Sequence, residues 1–495
     1  MKNSKIVKIL KTFSKEELKE FEKFTASPYF ARGRNLVLFL NEIKKFYPSF
    51  THEKFTNECI FNKLFPGKKF ESKSSNNLIK TLSYELLKMC EEFLIQTDFK
   101  SDINSRNYYL LNKYREKKLY TEYEKKYEDA ISYQEKNDGG DASDFLNKYF
   151  LLHTYNEYCV EKRKYKEVFE TIAALDETSS VISLIRAYRG FEFKHLAPTG
   201  YNLESVYSFT YDLIKNLDSE KLLREMKARN NKYYPYIAIN YMFYLISEYS
   251  SVDKYYFEFK KLIYENLNLF GHTERYILFC RLASYCVGKR NDERFVNEEF
   301  EIYKKALMLG VYKWSKEDDF SILHFKNIVS AAISVKELDW LEDFIEKYSN
   351  ELASADRESM KHYSYANLNF ERMSYEKALE NILKIKFDFI YYKLDIKILM
   401  FKIYYDMNYT EQAFSMLEVI RQYISTAKEL SETRRSNTKN FIKNSKELLK
   451  LKLLYSDGNH ELFKREIMIG KFIGSKGWIS DKIKELKKLA EPKND

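Results

Sequence analysis

The chain has 495 residues, 44% hydrophobic and 17% aromatic, with only 13 Gly and 6 Pro. This content excludes disorder, can bury a core spread over about two to four domains, and with so few breakers beside abundant Lys, Glu and Leu reads as nearly all helix. The net charge of +10 sits at the ends: residues 1–100 carry 19 Lys and Arg against 12 Asp and Glu, and residues 421–495 carry 18 against 10.

Two readings of that layout stand side by side. Lysine-rich helices keep a solvated face, and basic ends around a mildly acidic body also suit anionic partners. The opening MKNSKIVKILKTF has Lys8 inside a short apolar run and no small-residue cleavage site, so it is not read as a secretory signal. The five cysteines, Cys59, Cys90, Cys159, Cys280 and Cys286, are odd in number and scattered. They argue against a disulfide framework and for a reducing, cytoplasmic setting.

The first hundred residues predict short capped helices. Ser14 and Glu17 form a capping box before Leu18, Phe21 and Phe24, and SPYF stops that helix at Pro28. A further helix is expected from Asn35 to Phe46, before Pro48. Thr51 is the expected cap of the next, with Phe55, Cys59, Ile60 and Leu64 buried and Pro66-Gly67 as its end. Ser74 or Ser75 then caps a long helix whose apolar stripe is Leu78, Leu82, Leu86, Met89 and Phe93.

The stretch NKLFPGKKFESKSSNNLIK lies across that turn. It is not a Walker loop, because the phosphate loop needs a second glycine five residues before Gly67 and none stands there. It has the general form of a helix-turn-helix, whose second helix would present Lys68, Lys69, Lys73, Asn76, Asn77 and Lys80 to nucleic acid. The other reading is a structural corner. The segment resembles the N-terminal part of a group of uncharacterised bacterial helical proteins, in which Ser-Pro-Tyr-Phe and Leu-Phe-Pro-Gly precede such a helix; the resemblance implies no activity.

Beyond about residue 98 the pattern repeats. NDGGDASD, from Asn137, lacks the closing Glu of a calcium loop and reads as an inter-helix loop. YYPYIAINYMFYLISEYS, from Tyr233, is the most apolar stretch, yet its Pro, Asn and tyrosines make it a buried helix rather than a membrane span. The clearest repeat is YANLNFERMSYEKALENILKI followed by MFKIYYDMNYTEQAFSMLEVI, with Ala378 and Ala413 in equivalent places and Ile382 and Leu417 four residues after them. This resembles the tetratricopeptide repeat, a helix pair of about 34 residues with small residues where its helices cross. The resemblance puts Tyr404 at the aromatic position of the first helix, Ala413 at the crossing and Leu417 at the large packing position.

Weaker copies run through Tyr114, Tyr120, Tyr123, Tyr127 and Ala130, through Tyr165, Val168 and Ile172, and through Trp340, Leu341 and Ile345; the register between residues 181 and 310 stays open. The expected fold is all-α: a small helical domain over 1–98, then a tetratricopeptide-like solenoid over 99–495, whose stacked pairs cover each other's apolar faces. Near the end, TRRSNTKNFIKNSKELLK places Arg435, Lys439, Lys443, Lys446 and Lys450 on one helix face, with Phe441, Leu448 and Leu449 opposite. That stripe suits a phosphate backbone or an acidic partner, or is a solvated outer face.

Catalytic chemistry has no motif here. The seven histidines are dispersed without HExxH, and His272 and Cys280 lie two helical turns apart, too far to share a metal. No metal, cofactor or catalytic residue is assigned. The expected role is a non-catalytic scaffold or adaptor that binds a protein or peptide on the concave face of the solenoid. The alternative is a nucleic-acid-binding regulator, reading through the basic N-terminal pair while the solenoid senses a partner.

Overall fold

The computed structural model describes residues 1–30, 36–137, 139–201, 203–204, 207–290, 292–386, 390–427, 430–469 and 475–490. Its regular structure is helical throughout, apart from an isolated bridge between Phe320 and Leu352. The fold is an all-α helical repeat. It divides into two compact units, one of residues 1–134 and 150–171, the other of residues 135–149 and 172–495. The domain limit expected at residue 98 falls in the last turn of a helix that ends at Ser101.

The first unit begins with α1 (Lys5–Leu10), α2 (Lys15–Thr25), α3 (Val37–Lys44), α4 (Asn57–Leu64) and α5 (Ser72–Ser101). The Ser14–Glu17 box is formed on both sides, at 3.0 and 2.6 Å, and fixes the start of α2. Two caps differ from expectation. Thr56, not Thr51, caps α4, because its hydroxyl reaches the Cys59 amide at 3.1 Å. Glu71, not Ser74 or Ser75, stands at the N-cap of α5; the Ser75 hydroxyl instead accepts from the Glu71 amide at 2.9 Å. Asn35, the expected start of α3, lies outside the described residues.

α5 carries the core of this part, and α1, α2 and α4 pack on it. Of its expected stripe, Leu82, Leu86 and Phe93 are buried and Leu78 and Met89 half-buried, while Ile79 and Cys90 are buried beside them. Phe13, Phe21 and Phe93 meet at ring-centroid distances of 5.3–5.9 Å. The unit continues through α6 (Ile103–Glu116) and α7 (Tyr120–Lys136). Both α8 (Ala142–Glu161) and α9 (Tyr165–Tyr201) contribute residues to each unit. Here Tyr123 stacks on Tyr158 at 4.5 Å and Tyr127 on Tyr155 at 4.4 Å, around buried Leu111, Ala130 and Cys159. Tyr165 and Ile172, expected on a packing face, are exposed.

The second unit continues with α10 (Phe209–Asn216), α11 (Ser219–Ala228), α12 (Tyr234–Glu248), α13 (Asp253–Glu265), α14 (His272–Gly288) and α15 (Glu293–Met308). Then come α16 (Ile322–Ser334), α17 (Leu338–Tyr348), α18 (Arg357–Glu371), α19 (Tyr375–Leu383), α20 (Ile390–Asp406) and α21 (Thr410–Thr426). It ends with α22 (Glu432–Leu453), α23 (Asp457–Ile469) and α24 (Lys476–Ala490). From α11 onward each helix packs on the next; α16 also packs on α18, α18 on α20, and α22 on α24. Two layers of alternating helices result. α12, the apolar stretch from Tyr233, is buried along nearly its whole length, and none of the described helices is long and apolar enough to cross a membrane.

One turn recurs where one helix gives way to the next. Lys118, Arg163, Lys336, Met373 and Asn408 all have left-handed backbone, φ 56° to 63°. After each, the next amide bonds back to a carbonyl five residues earlier: Leu119 to Tyr114, Lys164 to Cys159, Glu337 to Ala332, Ser374 to Asn369 and Tyr409 to Tyr404, at 2.8–3.0 Å. This is the Schellman closure of a helix C-terminus. Ala378 and Ala413 follow two of these turns and are both fully buried, as the repeat register requires.

Candidate functional site

Three sets of residues compete as a functional surface. The first is the corner between α4 and α5, where Gly67 takes φ +89° in open space. Lys68, Lys69, Lys73, Asn77 and Lys80 are exposed. Lys68 lies 5.7 Å from the Phe65 ring centroid. Lys69, Lys73 and Lys80 make no ion pair among the described residues. Asn76 is engaged differently: its Oδ1 accepts from Asn57 Nδ2 at 2.7 Å and its amide donates to the Ser72 carbonyl. The amino terminus closes that chain by donating to Asn57 Oδ1 at 3.1 Å. Asn76 thus ties the corner together.

The second set is the stripe on α22. Phe441, Leu448 and Leu449 are buried on one side, and Lys439, Lys443 and Lys450 are exposed on the other. Lys446 is half-buried, and Lys450 pairs with Glu447 at 2.8 Å. Arg435 leaves the stripe. Its guanidinium turns onto the end of α21, donating to the carbonyls of Ile424 and of Ala427, the latter at 3.0 Å. It is a helix cap from a neighbouring element, satisfying carbonyls that α21 leaves open.

The third set is a groove of about 460 Å³ in the second unit, lined by one layer of helices, α16, α18, α20 and α22. Its cations are Arg290, Lys326, Lys402 and Arg434, and its carboxylates Glu371 and Asp395. Asp395 lies between Lys326 and Arg434 and pairs with both. Arg290 reaches out of the groove to the buried Glu299, with both bonds at 2.6–2.7 Å. Glu371 pairs with Lys336. Tyr363, buried on α18, has its phenol pushed up by desolvation.

Lys402 differs from the other three cations. It has no ion pair among the described residues, and its Nζ stands 5.7 Å from the Trp478 ring centroid. Part of its surface stays open to the groove, but its ammonium is packed deeply enough that burial pushes it down to about 8. The carboxylates nearest in electrostatic terms, Glu371, Asp395 and Asp406, hold it from falling further. Each of those already has a cation of its own, Asp406 pairing with Lys482 at 2.8 Å. Two more residues that line the groove carry a buried polar atom without a partner: Arg434 its Nε and Asn437 its Oδ1.

The repeat register explains why these residues converge. Asn367, Lys402 and Asn437 are 35 residues apart, the same step that separates Ala378 from Ala413. They occupy equivalent positions on α18, α20 and α22. Sequence reasoning found the register in the buried alanines and did not carry it eleven residues back to the groove-facing position. Elsewhere, His272 Nε2 bonds the Lys313 carbonyl at 3.0 Å, and it is His324 whose Nδ1 lies 3.7 Å from Cys280 Sγ. No group of three His, Cys, Asp or Glu among the described residues is placed to hold a metal ion. All five cysteines are free thiols.

No protein-family model matches this chain, and neither a curated protein nor a solved structure matches it.

Proposed function

We propose that this protein is a non-catalytic interaction scaffold of the tetratricopeptide kind, which docks a partner polypeptide along the groove-bearing layer of its second unit. The observation that carries the reading is the groove itself. Four successive helices of one layer present polar and charged side chains there, and on three of them, α18, α20 and α22, the groove-lining position repeats every 35 residues. A stack of helix pairs offers such a surface to an extended chain, because each pair contributes the same few positions. A photo-reactive residue at Asn327, on the groove, should cross-link a discrete polypeptide in the native cell. The same residue at Glu411, on α21 in the other layer, should not. Equal cross-linking at both places, or none at Asn327, overturns the reading.

A second reading rests on the α4–α5 corner, whose exposed Lys69, Lys73 and Lys80 lack carboxylate partners among the described residues. Such lysines suit a nucleic-acid backbone, and each phosphate neutralised releases a counterion, giving a slope of about −0.9 in log affinity against log salt. Replacing Lys68, Lys69 and Lys73 with Gln should flatten that slope by about two to three units and leave the fold intact. No binding of duplex or single strands at low salt would make this segment a corner only.

A further inference from the structure

We propose that the groove between α16, α18, α20 and α22 is a binding site for a small phosphate monoester, held by Lys402, Arg434 and Asn437. The argument starts from which groups are already satisfied. Asp395 is neutralised by Lys326 and Arg434, Glu371 by Lys336, and the Arg290 guanidinium by Glu299. With those pairs set aside, Lys402 keeps a whole positive charge, and Asp395 is shared by two cations, so the site carries about two charges in excess. A phosphate monoester carries −1.5 to −2 near neutral pH and offers three strong acceptor oxygens.

Three groove-lining side chains supply donors for those oxygens once Arg434 and Asn437 turn towards the ligand. The Lys402 ammonium has neither hydrogen bond nor ion pair among the described residues, and Arg434 Nε is buried without an acceptor. Asn437 also lines the groove, its Oδ1 is buried and unpartnered, and its amide can be turned over to supply an NH2 donor. A buried polar group left without a partner destabilises the fold, more so when charged, so a bound anion recovers what the empty groove loses. Size selects among phosphate carriers. The 460 Å³ of space falls within the range that holds a small organic ligand, roughly 300–1,000 Å³. This inference does not depend on the scaffold reading, since a groove can hold a small effector whether or not a polypeptide docks beside it.

The test is calorimetric titration of the full chain with phenyl phosphate at neutral pH and low salt, with succinate and a phosphoserine heptapeptide as comparison ligands. Phenyl phosphate should bind saturably at one site, more tightly than succinate. Lys402→Gln should weaken it by about thirty-fold or more, as expected when one member of a buried charge contact is lost, and Lys402→Arg should retain it. Asn437→Asp, which sets a like charge against the ligand without touching Lys402, should weaken it too. The proposal is overturned if phenyl phosphate does not bind at millimolar concentration, if succinate competes equally, or if only the peptide binds. Parental affinity in both Lys402→Gln and Asn437→Asp also overturns it.

Discussion

His324 shows how a single side chain makes the second unit sensitive to acid. It is buried among Tyr276, Tyr303 and Phe320, with ring centroids at 5.4–5.9 Å, and its Nε2 has no partner. Burial pushes its imidazole down from 6.5 to about 4. The folded state therefore holds it neutral while the unfolded chain takes up a proton below pH 6.5. Its contribution to stability is complete above that value and is lost as pH falls towards 4, up to about 3 kcal/mol. Urea midpoints measured across pH 4–7 should decline on the acid side, and His324→Phe should shrink the decline. Ala413 sets the other residue-scale limit. It is fully buried on α21, so Ala413→Phe overpacks the crossing and should cost about 1–3 kcal/mol, seen as a lower melting temperature.

At the scale of elements, the left-handed turns decide how each helix pair folds back. A non-glycine residue in this conformation costs about 1–2 kcal/mol, yet five such turns use Lys, Arg, Met or Asn. Met373 is among the most exposed of the large apolar side chains and has no packing to lose. Met373→Gly should stabilise the protein by about 0.5–1 kcal/mol, read as a raised urea midpoint with unchanged slope. The same turns mark what was legible beforehand. Repeating aromatics and alanines gave away the helix pairs at Ala378 and Ala413, and the Ser14–Glu17 box fixed α2. The caps at Thr56 and Glu71 were missed, because several Ser, Thr and acidic residues cluster before each helix and only tertiary packing chooses among them. Sequence spacing places Arg435 in a lysine stripe because spacing reports a face, not the neighbouring helix end that a side chain can reach. The groove was missed for a related reason: Lys326, Asp395, Lys402 and Arg434 are ordinary surface residues one at a time, and their meaning lies in the pairing that leaves Lys402 over.

At the scale of the molecule, the second unit is discontinuous in sequence. Its early segment is fastened by the loop after α7, where Gly139 accepts a bond from the Gly271 amide at 2.7 Å. Asp144 gathers the loop by accepting from the Gly139 and Asp141 amides, at 2.9 and 3.3 Å. Gly140 has φ +70°, and a Cβ there would lie 2.6 Å from both the Leu269 carbonyl oxygen and the Tyr236 ring. Gly140→Ala should therefore destabilise by about 1–3 kcal/mol. Gly67→Ala, left-handed but in open space, should cost about 1 kcal/mol. Equal melting temperatures for the two variants would contradict the close approach.

The Gly139–Gly271 clasp also sets an order on biosynthesis. The first half of the clasp leaves the ribosome 132 residues before the second, a wait of roughly 7–26 s at about 5–20 residues per second. Throughout that interval the loop and the start of α8 are present in the cell without their mate. In this window the unclasped loop is open to chaperones and proteases.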